Sequence, residues 1–239
     1  MKESYPLLNE KAEEILSKEE KGIDNLIRKG FIVKVYSLLF IQLMLTFSFV
    51  FLSMQIKSLQ SFIKYHYWIY ILNLIIPFVI LIYFLVNPKK TKQVPINYIL
   101  LFIFCFSEGY IVARFVINFQ KQTVYLALIL TLISVLTLSL YAYGTKEDFT
   151  LLGGTLFISL TLLLLGSIIN IFFRIKFLTF IFTVLGIILF SIYIIHDTQL
   201  IIGNKQYKFS EDDYIIAVIT LYIDIITLFI DLLSLLGKK

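Results

Sequence analysis

The sequence predicts an all-α membrane protein, a polytopic bundle of seven transmembrane segments, or of six and a re-entrant last segment. Of its 239 residues, 59% are hydrophobic and 15% are charged, and the mean hydropathy is +0.89. Soluble domains are roughly half apolar and a quarter charged. The apolar excess lies in runs of about 18 to 25 residues, a length that crosses about 30 Å of hydrocarbon as a helix. Helices are expected because they satisfy their backbone hydrogen bonds inside lipid.

A polar tail of residues 1–30 precedes the first apolar run. Five of its apolar residues recur at the spacing typical of a short amphipathic helix on a membrane surface: Ile15, Leu16, Ile23, Leu26 and Ile27. The predicted spans follow at approximately 31–54, 67–86, 96–118, 123–143, 150–173, 177–200 and 212–236. The chain therefore divides into a tail, 1–30, and a transmembrane domain, 31–239.

The charges of the chain indicate orientation and exclude some partners. The net charge of +5 is spread among the loops, so nucleic acid is not an expected partner. Arg28, Lys29 and Lys34 flank the first span and favour a cytosolic N-terminus, although the opposite loops also carry some positive charge. Seven complete crossings place Lys238 and Lys239 on the far side, whereas a re-entrant last segment returns them to the cytosol.

The last span carries carboxylates at bilayer depth, where a charge costs on the order of 3 kcal/mol. Its polar residues are spaced by 4, 3, 4 and 3 positions and share one helical face: Thr220, Asp224, Thr227, Asp231 and Ser234. Such a stripe lies inside a bundle, where it joins helices through hydrogen bonds or lines a wet path. Two carboxylates on one stripe favour the wet path.

Ionisable residues also occur in two other spans. Asp197 lies four residues after Tyr193, whose hydroxyl is within reach of a hydrogen bond, but a snorkelling or capping carboxylate fits this position equally well. Glu108 and Arg114 in the third span are six residues apart and lie on different faces. Each therefore needs a partner on another span or a water cavity, and Arg114 is near enough to the span's end to snorkel.

Five stretches of the sequence carry a family resemblance. They are Phe31–Leu39 with Gln42, Leu43 and Thr46, then Ser107–Tyr110, Asp148–Phe157, His196–Ile201, and Asp212–Tyr214 with Leu221–Ile226. In this order and at about this spacing they resemble the lifeguard and Golgi anti-apoptotic branch of the Bax inhibitor-1 superfamily, the transmembrane Bax inhibitor motif proteins. The resemblance runs from residue 31 to about 236.

The resemblance implies an architecture and an activity. The last helix is expected at the centre of the bundle. The activity is expected to be a pH-sensitive calcium leak across an internal membrane, linked to calcium homeostasis and suppression of cell death. The endoplasmic reticulum, Golgi and endolysosomal membranes are the expected locations. The mitochondrial inner membrane is less favoured, because the acidic N-terminus differs from a presequence.

The resemblance also implies a gate. Asp197 and Asp224 match a carboxylate pair that senses protons and gates the pore, and Asp212 matches an acidic position tied to conduction. Two carboxylates in low dielectric share a proton and titrate together, so acid favours closure. Calcium is expected as a permeant ion, held weakly and transiently by Asp197 and Asp224, and no cofactor is expected. The other residues of the expected ion path are Asp213, Thr220, Thr227 and Asp231, with Glu108, Arg114, His196 and Tyr193 in supporting positions.

The sequence departs from the family pattern at several positions. His196 stands where Tyr is usual, Thr227 where Asn is common, and Asp231 at a usually apolar place. Some bacterial members latch the aspartate pair with an arginine of the second span, but that span has no basic residue here. Arg114, in the third span, is not an assured substitute for this latch.

Other membrane-protein classes give alternative interpretations. The serious one is a non-conducting scaffold that binds apoptosis regulators or acts as an accessory subunit of a larger membrane complex. An intramembrane aspartyl protease is disfavoured because no Pro-Ala-Leu turn occurs, and a retinal receptor because the last span has no central lysine. We therefore do not expect an enzyme.

Overall fold

The computed structural model describes the backbone of residues 4–237 and the side chains of Leu16 and of residues 18–237. Lys238 and Lys239, on which the orientation argument drew, lie outside the described residues. The helices are α1 Ser4–Gln55, α2 Lys57–Tyr65, α3 Tyr67–Val86, α4 Ile96–Val116, α5 Lys121–Gly144, α6 Gly153–Phe173, α7 Lys176–Ile202 and α8 Tyr214–Leu236. Short 3₁₀ turns occupy Pro88–Lys92 and Phe149–Leu152.

Seven of these helices, all except α2, are long and apolar enough to cross a membrane, which confirms the predicted class. No strand occurs in the described part of the chain. The last helix, α8, is continuous over 23 residues, or about 34 Å at 1.5 Å per residue. That length is sufficient for a complete crossing.

The tail differs from the expected surface helix. It is helical, but it continues into the first span as one helix, α1, of 52 residues. The chain between tail and span has no proline, and Gly22 and Gly30 leave the helical hydrogen bonds intact. Nothing in the local sequence therefore stops the helix where polarity changes.

The last helix occupies the centre of the bundle, as the family resemblance implies. It packs against α1, α4, α5 and α7. Its largest fully buried side chains include Ile219, Leu221 and Tyr222, which point to different sides of the helix. Because protein surrounds most of α8, its polar residues are kept away from lipid.

The bundle has two ends, defined here by their connecting segments. The tail end is where α1 enters the bundle, and it holds segments 87–95, 145–152 and 203–213. The far end holds α2 and segments 117–120 and 174–175. At the far end Lys121 Nζ donates to Gln55 Oε1 at 2.7 Å, which joins the start of α5 to the end of α1.

Arg28 of α1 clamps the last turn of α7 at the tail end. Its guanidinium donates to three backbone carbonyls and one carboxylate: Leu200 at 2.5 Å, Phe209 at 2.6 Å, Ile202 at 3.2 Å and Glu211 Oε1 at 3.3 Å. The last carbonyls of a helix have no donors within the helix, and a cation there is favoured by the helix dipole. Arg28 supplies both the donors and the charge.

Gly203 makes the Arg28 clamp possible. It ends α7 with a φ of 74°, in the left-handed region that favours glycine. A Cβ at this position would lie 2.5 Å from the nearest guanidinium nitrogens of Arg28. Both the backbone conformation and the close approach of Arg28 therefore require glycine.

A buried polar cluster joins α1, α4 and α8 near mid-bundle. Thr46 Oγ1 and the Tyr222 hydroxyl are hydrogen-bonded at 2.7 Å, and Cys105 Sγ donates to the Gln42 carbonyl at 3.5 Å. The Tyr222 ring also packs edge-on against Phe104. Since each contact crosses between helices, the cluster fixes the rotation of α8 about its axis.

We predict that Arg28→Ala destabilises the bundle by about 2 kcal/mol, because hydrogen bonds to a charged group are lost at several carbonyls together. The measurement is thermal unfolding in detergent. Arg28→Lys keeps the charge but cannot reach all four oxygens, so its melting temperature should lie between those of wild type and Arg28→Ala. Lys29→Ala, an exposed neighbour, is the control, and an equal loss of stability in it would contradict the clamp.

Candidate functional site

The structure brings Asp197 and Asp224 together between α7 and α8. Each is only 5% exposed. The two carboxylates interact electrostatically with each other, and the Tyr193 hydroxyl interacts with both. Asp197 lies about one and a half turns from the end of α7, and Asp224 lies mid-helix on α8. The sequence left two interpretations of Asp197 open, a carboxylate hydrogen-bonded to Tyr193 and a snorkelling or capping carboxylate. Its buried position next to Asp224 does not fit a snorkelling carboxylate.

The two carboxylates have different hydrogen-bond partners. Asp197 Oδ1 lies 2.7 Å from Nδ1 of His196, a distance at which a protonated Nδ1 donates a hydrogen bond to the carboxyl oxygen. Asp224 Oδ2 is buried and has no hydrogen-bond partner among the described residues. No hydrogen bond joins Asp197 to Asp224 in the described part of the chain. The pair is therefore unequal, because Asp197 has a polar partner at Oδ1 and Asp224 has none at Oδ2.

The residue that contacts the Asp197 carboxylate is His196, and not Tyr193 as the spacing suggests. The hydrogen bond considered between Tyr193 and Asp197 is not formed, because the imidazole of His196 reaches the carboxylate first. The Tyr193 ring instead meets the His196 ring edge-on, with centroids 6.3 Å apart. On its other side, His196 Nε2 faces Gly153, where a Cβ would lie 3.4 Å away.

A loop covers the tail end of α7 beside His196 and Asp197. Gln199 Oε1 accepts a hydrogen bond from the backbone N–H of Phe149 at 2.8 Å, and Gln199 Nε2 donates to the Glu147 carbonyl at 3.0 Å. Lys205 Nζ donates to the carbonyls of Thr145 and Lys146, each at 2.9 Å. The stretches Asp148–Phe157 and His196–Ile201 thus form one structural unit. Their hydrogen-bonded residues, Phe149 and Gln199, are 50 residues apart in the chain.

Asp148 organises this covering loop. Its carboxylate accepts hydrogen bonds from Thr150 Oγ1 at 2.5 Å, from the Thr150 N–H at 3.0 Å and from the Gln206 N–H at 3.1 Å. The hydrogen bond from the Thr150 side chain, followed by the two backbone N–H groups and the charge of Lys205, lowers the pKa of Asp148 below its ordinary value. Asp148 therefore stays ionised throughout the neutral and mildly acidic range.

Asp212 and Asp213 lie at the tail end of the bundle, outside the membrane core. Lys92 Nζ lies 3.2 Å from Asp213 Oδ1 and 3.8 Å from Asp212 Oδ2. The Asp212 side chain is 75% exposed. Exposed ion pairs contribute at most about 1 kcal/mol, so these contacts leave the two carboxylates free to meet solvent cations.

The polar stripe of α8 does not join helices through its threonines. Thr220 and Thr227 donate to carbonyls of their own helix, those of Ala217 and Ile223, at 3.3 and 2.8 Å. Thr227 also lines a cavity, and so does Asp231. The stripe therefore faces open space on part of its length, in agreement with the wet-path interpretation.

The cavity measures about 840 Å³ and is partly open. It lies between α3, α4, α6, α7 and α8 and extends from mid-bundle to the far end. Its polar lining groups come from four of these helices and the α6–α7 turn: Glu108, Ser167, Asn170, Arg174, Thr179, Thr183, Thr227 and Asp231. Apolar residues such as Pro77 and Phe190 form the rest of the wall.

Asp231 packs tightly against α7 at Gly186. A Cβ at Gly186 would collide with the Asp231 carboxylate. The absence of a side chain at Gly186 therefore lets the carboxylate lie between the two helices.

Glu108 and Arg114 do not pair with each other. The guanidinium of Arg114 lies 6.0 Å from the centre of the Tyr70 ring on α3, and its Nε has no hydrogen-bond partner among the described residues. No ion pair joins Arg114 to Asp197 or Asp224 in the part of the chain described. Arg114 therefore does not act as a latch on the aspartate pair in this conformation.

Comparisons with known proteins agree with this architecture. The model of the family described as "Inhibitor of apoptosis-promoting Bax1" matches residues 28–239. The chain is 34% identical to lifeguard 4 of Mus musculus over 201 residues, covering 82% of this chain and 80% of the relative. It is 28% identical to lifeguard 3 of Homo sapiens over 220 residues, covering 90% of this chain and 71% of the relative.

We predict that Asp148→Asn lowers the melting temperature by a similar amount at any pH between about 5 and 8. A carboxylate with a lowered pKa stabilises the folded state above its ordinary pKa, and the stabilisation is lost as pH falls through the folded pKa. The difference from wild type should therefore shrink only below about pH 4. Glu147→Gln is the neighbouring control, and a difference that disappears near pH 6 would contradict this assignment.

We predict that Gly186→Ala destabilises the protein by about 1 to 3 kcal/mol, because the added methyl group displaces the Asp231 carboxylate. Gly154→Ala is the matched control, since a Cβ at Gly154 meets nothing within 4 Å. That variant should be neutral or slightly more stable because alanine is the better helix former. Thermal unfolding of both variants in the same detergent checks the prediction, and equal behaviour would refute it.

Proposed function

Because the chain belongs to the Bax inhibitor-1 family of membrane proteins, we propose that it is a pH-sensitive calcium leak channel of an internal membrane. Asp197 and Asp224 are the proposed gate, and the activity is linked to calcium homeostasis and suppression of cell death. The observation that carries the proposal is the burial of two interacting carboxylates between α7 and α8, one of them without a hydrogen-bond partner.

The inequality of the two carboxylates suggests how protons act on the gate. In the closed state His196 Nδ1 lies 2.7 Å from Asp197 Oδ1, whereas Asp224 Oδ2 has no partner among the described residues. Asp224 then carries the shared proton, because a second buried charge next to Asp197 is unfavourable. Loss of this proton leaves two negative charges between α7 and α8, and their repulsion drives the helices apart. Tyr193 interacts electrostatically with both carboxylates.

Calcium is the proposed permeant ion. It prefers six to eight oxygen ligands, which the Asp197–Asp224 pair, nearby hydroxyls and water supply only in part. No three His, Cys, Asp or Glu side chains converge as a metal cluster among the described residues. A weak, transient site of this kind suits passage of the ion better than storage. Asp212 and Asp213 attract cations at the tail end of α8, the helix that carries Asp224.

The proposed orientation places the tail end in the cytosol. Arg28, Lys29, Lys34, Lys89 and Lys90 all lie at this end, and basic residues concentrate on the cytosolic side of membrane proteins. The endoplasmic reticulum, the Golgi and the endolysosomal membranes are the proposed locations. Acidification of the cytosol then closes the channel through the proton that returns to the pair.

A non-conducting scaffold is the second candidate function. It draws support from α1, whose tail exposes apolar residues at helical spacing, among them Leu16, Ile23 and Ile27. Such residues offer a surface to an apoptosis regulator or to a subunit of a larger membrane complex. In this case Asp224 and Asp231 bind a partner's cationic groups and no ion crosses.

We predict that purified protein in liposomes containing a calcium dye leaks calcium at neutral pH and closes below about pH 6. Asp224→Asn and Asp197→Asn should each flatten this pH response, because either change removes one of the two interacting charges.

Asp24→Asn is the control for the flux assay, since it makes the same chemical change at an exposed residue of the tail and should keep the wild-type pH response. Flux no greater than that of empty liposomes would exclude the channel. Recovery of the protein only in a stoichiometric complex would favour the scaffold.

A further inference from the structure

The cavity at the far end contains two carboxylates that have no protein partner. Glu108 of α4 and Asp231 of α8 both line it. Neither makes a hydrogen bond or an ion pair with any residue that the structure describes. A charged side chain at bilayer depth costs about 3 kcal/mol or more when nothing solvates it. Water in the cavity is the solvent available to both groups.

The cavity is large enough to hold water around both carboxylates. At about 30 Å³ per molecule, its volume of about 840 Å³ holds on the order of twenty waters. Hydroxyl groups of Ser167 and Thr183 add oxygen atoms to the wall. Carboxylate, hydroxyl and water oxygens are the ligands that a hydrated divalent cation accepts. The one cationic group among the lining residues is Arg174, at the far-end mouth.

The inner end of the cavity lies next to the aspartate pair. Phe190 and Ile223 line the cavity there, and the Phe190 ring stacks on Tyr193, which in turn faces both carboxylates. Asp224 shares a helical face with Thr227 and Asp231, three and seven residues later, and both of these line the cavity. Asp224 does not itself line the cavity, and its buried oxygen Oδ2 has no hydrogen-bond partner among the described residues.

We propose that this cavity is a water-filled vestibule in which Glu108 and Asp231 bind a hydrated divalent cation, with Phe190 and Ile223 as an apolar barrier before Asp224. The vestibule deepens the proposed channel, for which it supplies the far-end entrance. Cation binding in it does not require conduction, however, so it is tested without a flux measurement. The probes are calcium and manganese ions.

The test uses two adjacent cysteine substitutions on α6. Ser167→Cys places a thiol on the cavity wall, whereas Ile168→Cys places one at the same depth on the lipid-facing side, where Ile168 is 51% exposed. The native Cys105 is buried, and Cys105→Ser removes this thiol from both variants. The reagent is a cationic, membrane-impermeant methanethiosulfonate, applied to protein in nanodiscs.

The reagent should modify Ser167→Cys rapidly and Ile168→Cys slowly, because only the cavity thiol meets water. Calcium or manganese at ten times its dissociation constant should slow modification of Ser167→Cys about tenfold, by occupying the site. Adding Glu108→Gln and Asp231→Asn should remove this protection while the thiol stays reactive. Thermal unfolding of each variant confirms that it is folded.

Each other outcome has a distinct meaning. Equal modification of the two thiols would overturn the water-filled cavity. Modification without protection, or protection that survives loss of both carboxylates, would overturn the cation site. Protection by a cationic amphiphile but not by calcium would also overturn it, in favour of a lipid-binding cavity. Protection by calcium in a protein that does not leak would keep the vestibule and refute the proposed channel.

Discussion

An ionisable side chain at bilayer depth must be kept away from hydrocarbon, and α8 carries two of them, Asp224 and Asp231. This constraint accounts for the arrangement of the helices. The remaining spans surround α8, with α1, α4, α5 and α7 in direct contact, and the cavity between α3, α4, α6, α7 and α8 is lined by the Asp231 carboxylate. The hydrogen bond between Thr46 and Tyr222 fixes the face of α8 that meets each neighbour. A rotated α8 would turn its polar stripe toward apolar walls.

The two ends of the bundle are built differently, and the difference bears on how an ion path could work. At the tail end Gln199, Asp148 and Lys205 hold loops in place through hydrogen bonds that cross between segments. Toward the far end the interior is open, and its carboxylates have no protein partners. The hydrogen-bonded loops and the cavity thus lie on opposite sides of the aspartate pair.

The sequence was sufficient for the class, the number of spans and the shared face of Asp224 and Asp231, because hydropathy and helical periodicity are local properties. It could not pair Asp197 with Asp224 without the family resemblance, since spacing within one helix carries no information about the next. Periodicity also suggested Tyr193 as the partner of Asp197, whereas His196 has it, because side-chain reach decides between two near candidates. From the sequence, Arg28 indicated only the orientation of the chain in the membrane. Its clamp depends on contacts more than 170 residues away, and only Gly203 after the sixth predicted span indicated a helix end there.

Because α1 runs unbroken for 52 residues, about 78 Å at 1.5 Å per residue, its tail and the first span share one helix axis. Arg28 lies where the tail meets the body of the protein, and it grips the end of the helix that carries Asp197. A force that tilts the tail is therefore delivered to the last turn of α7, fewer than two turns from the carboxylate pair. The tail and the carboxylate pair are thus connected through one helix, α7.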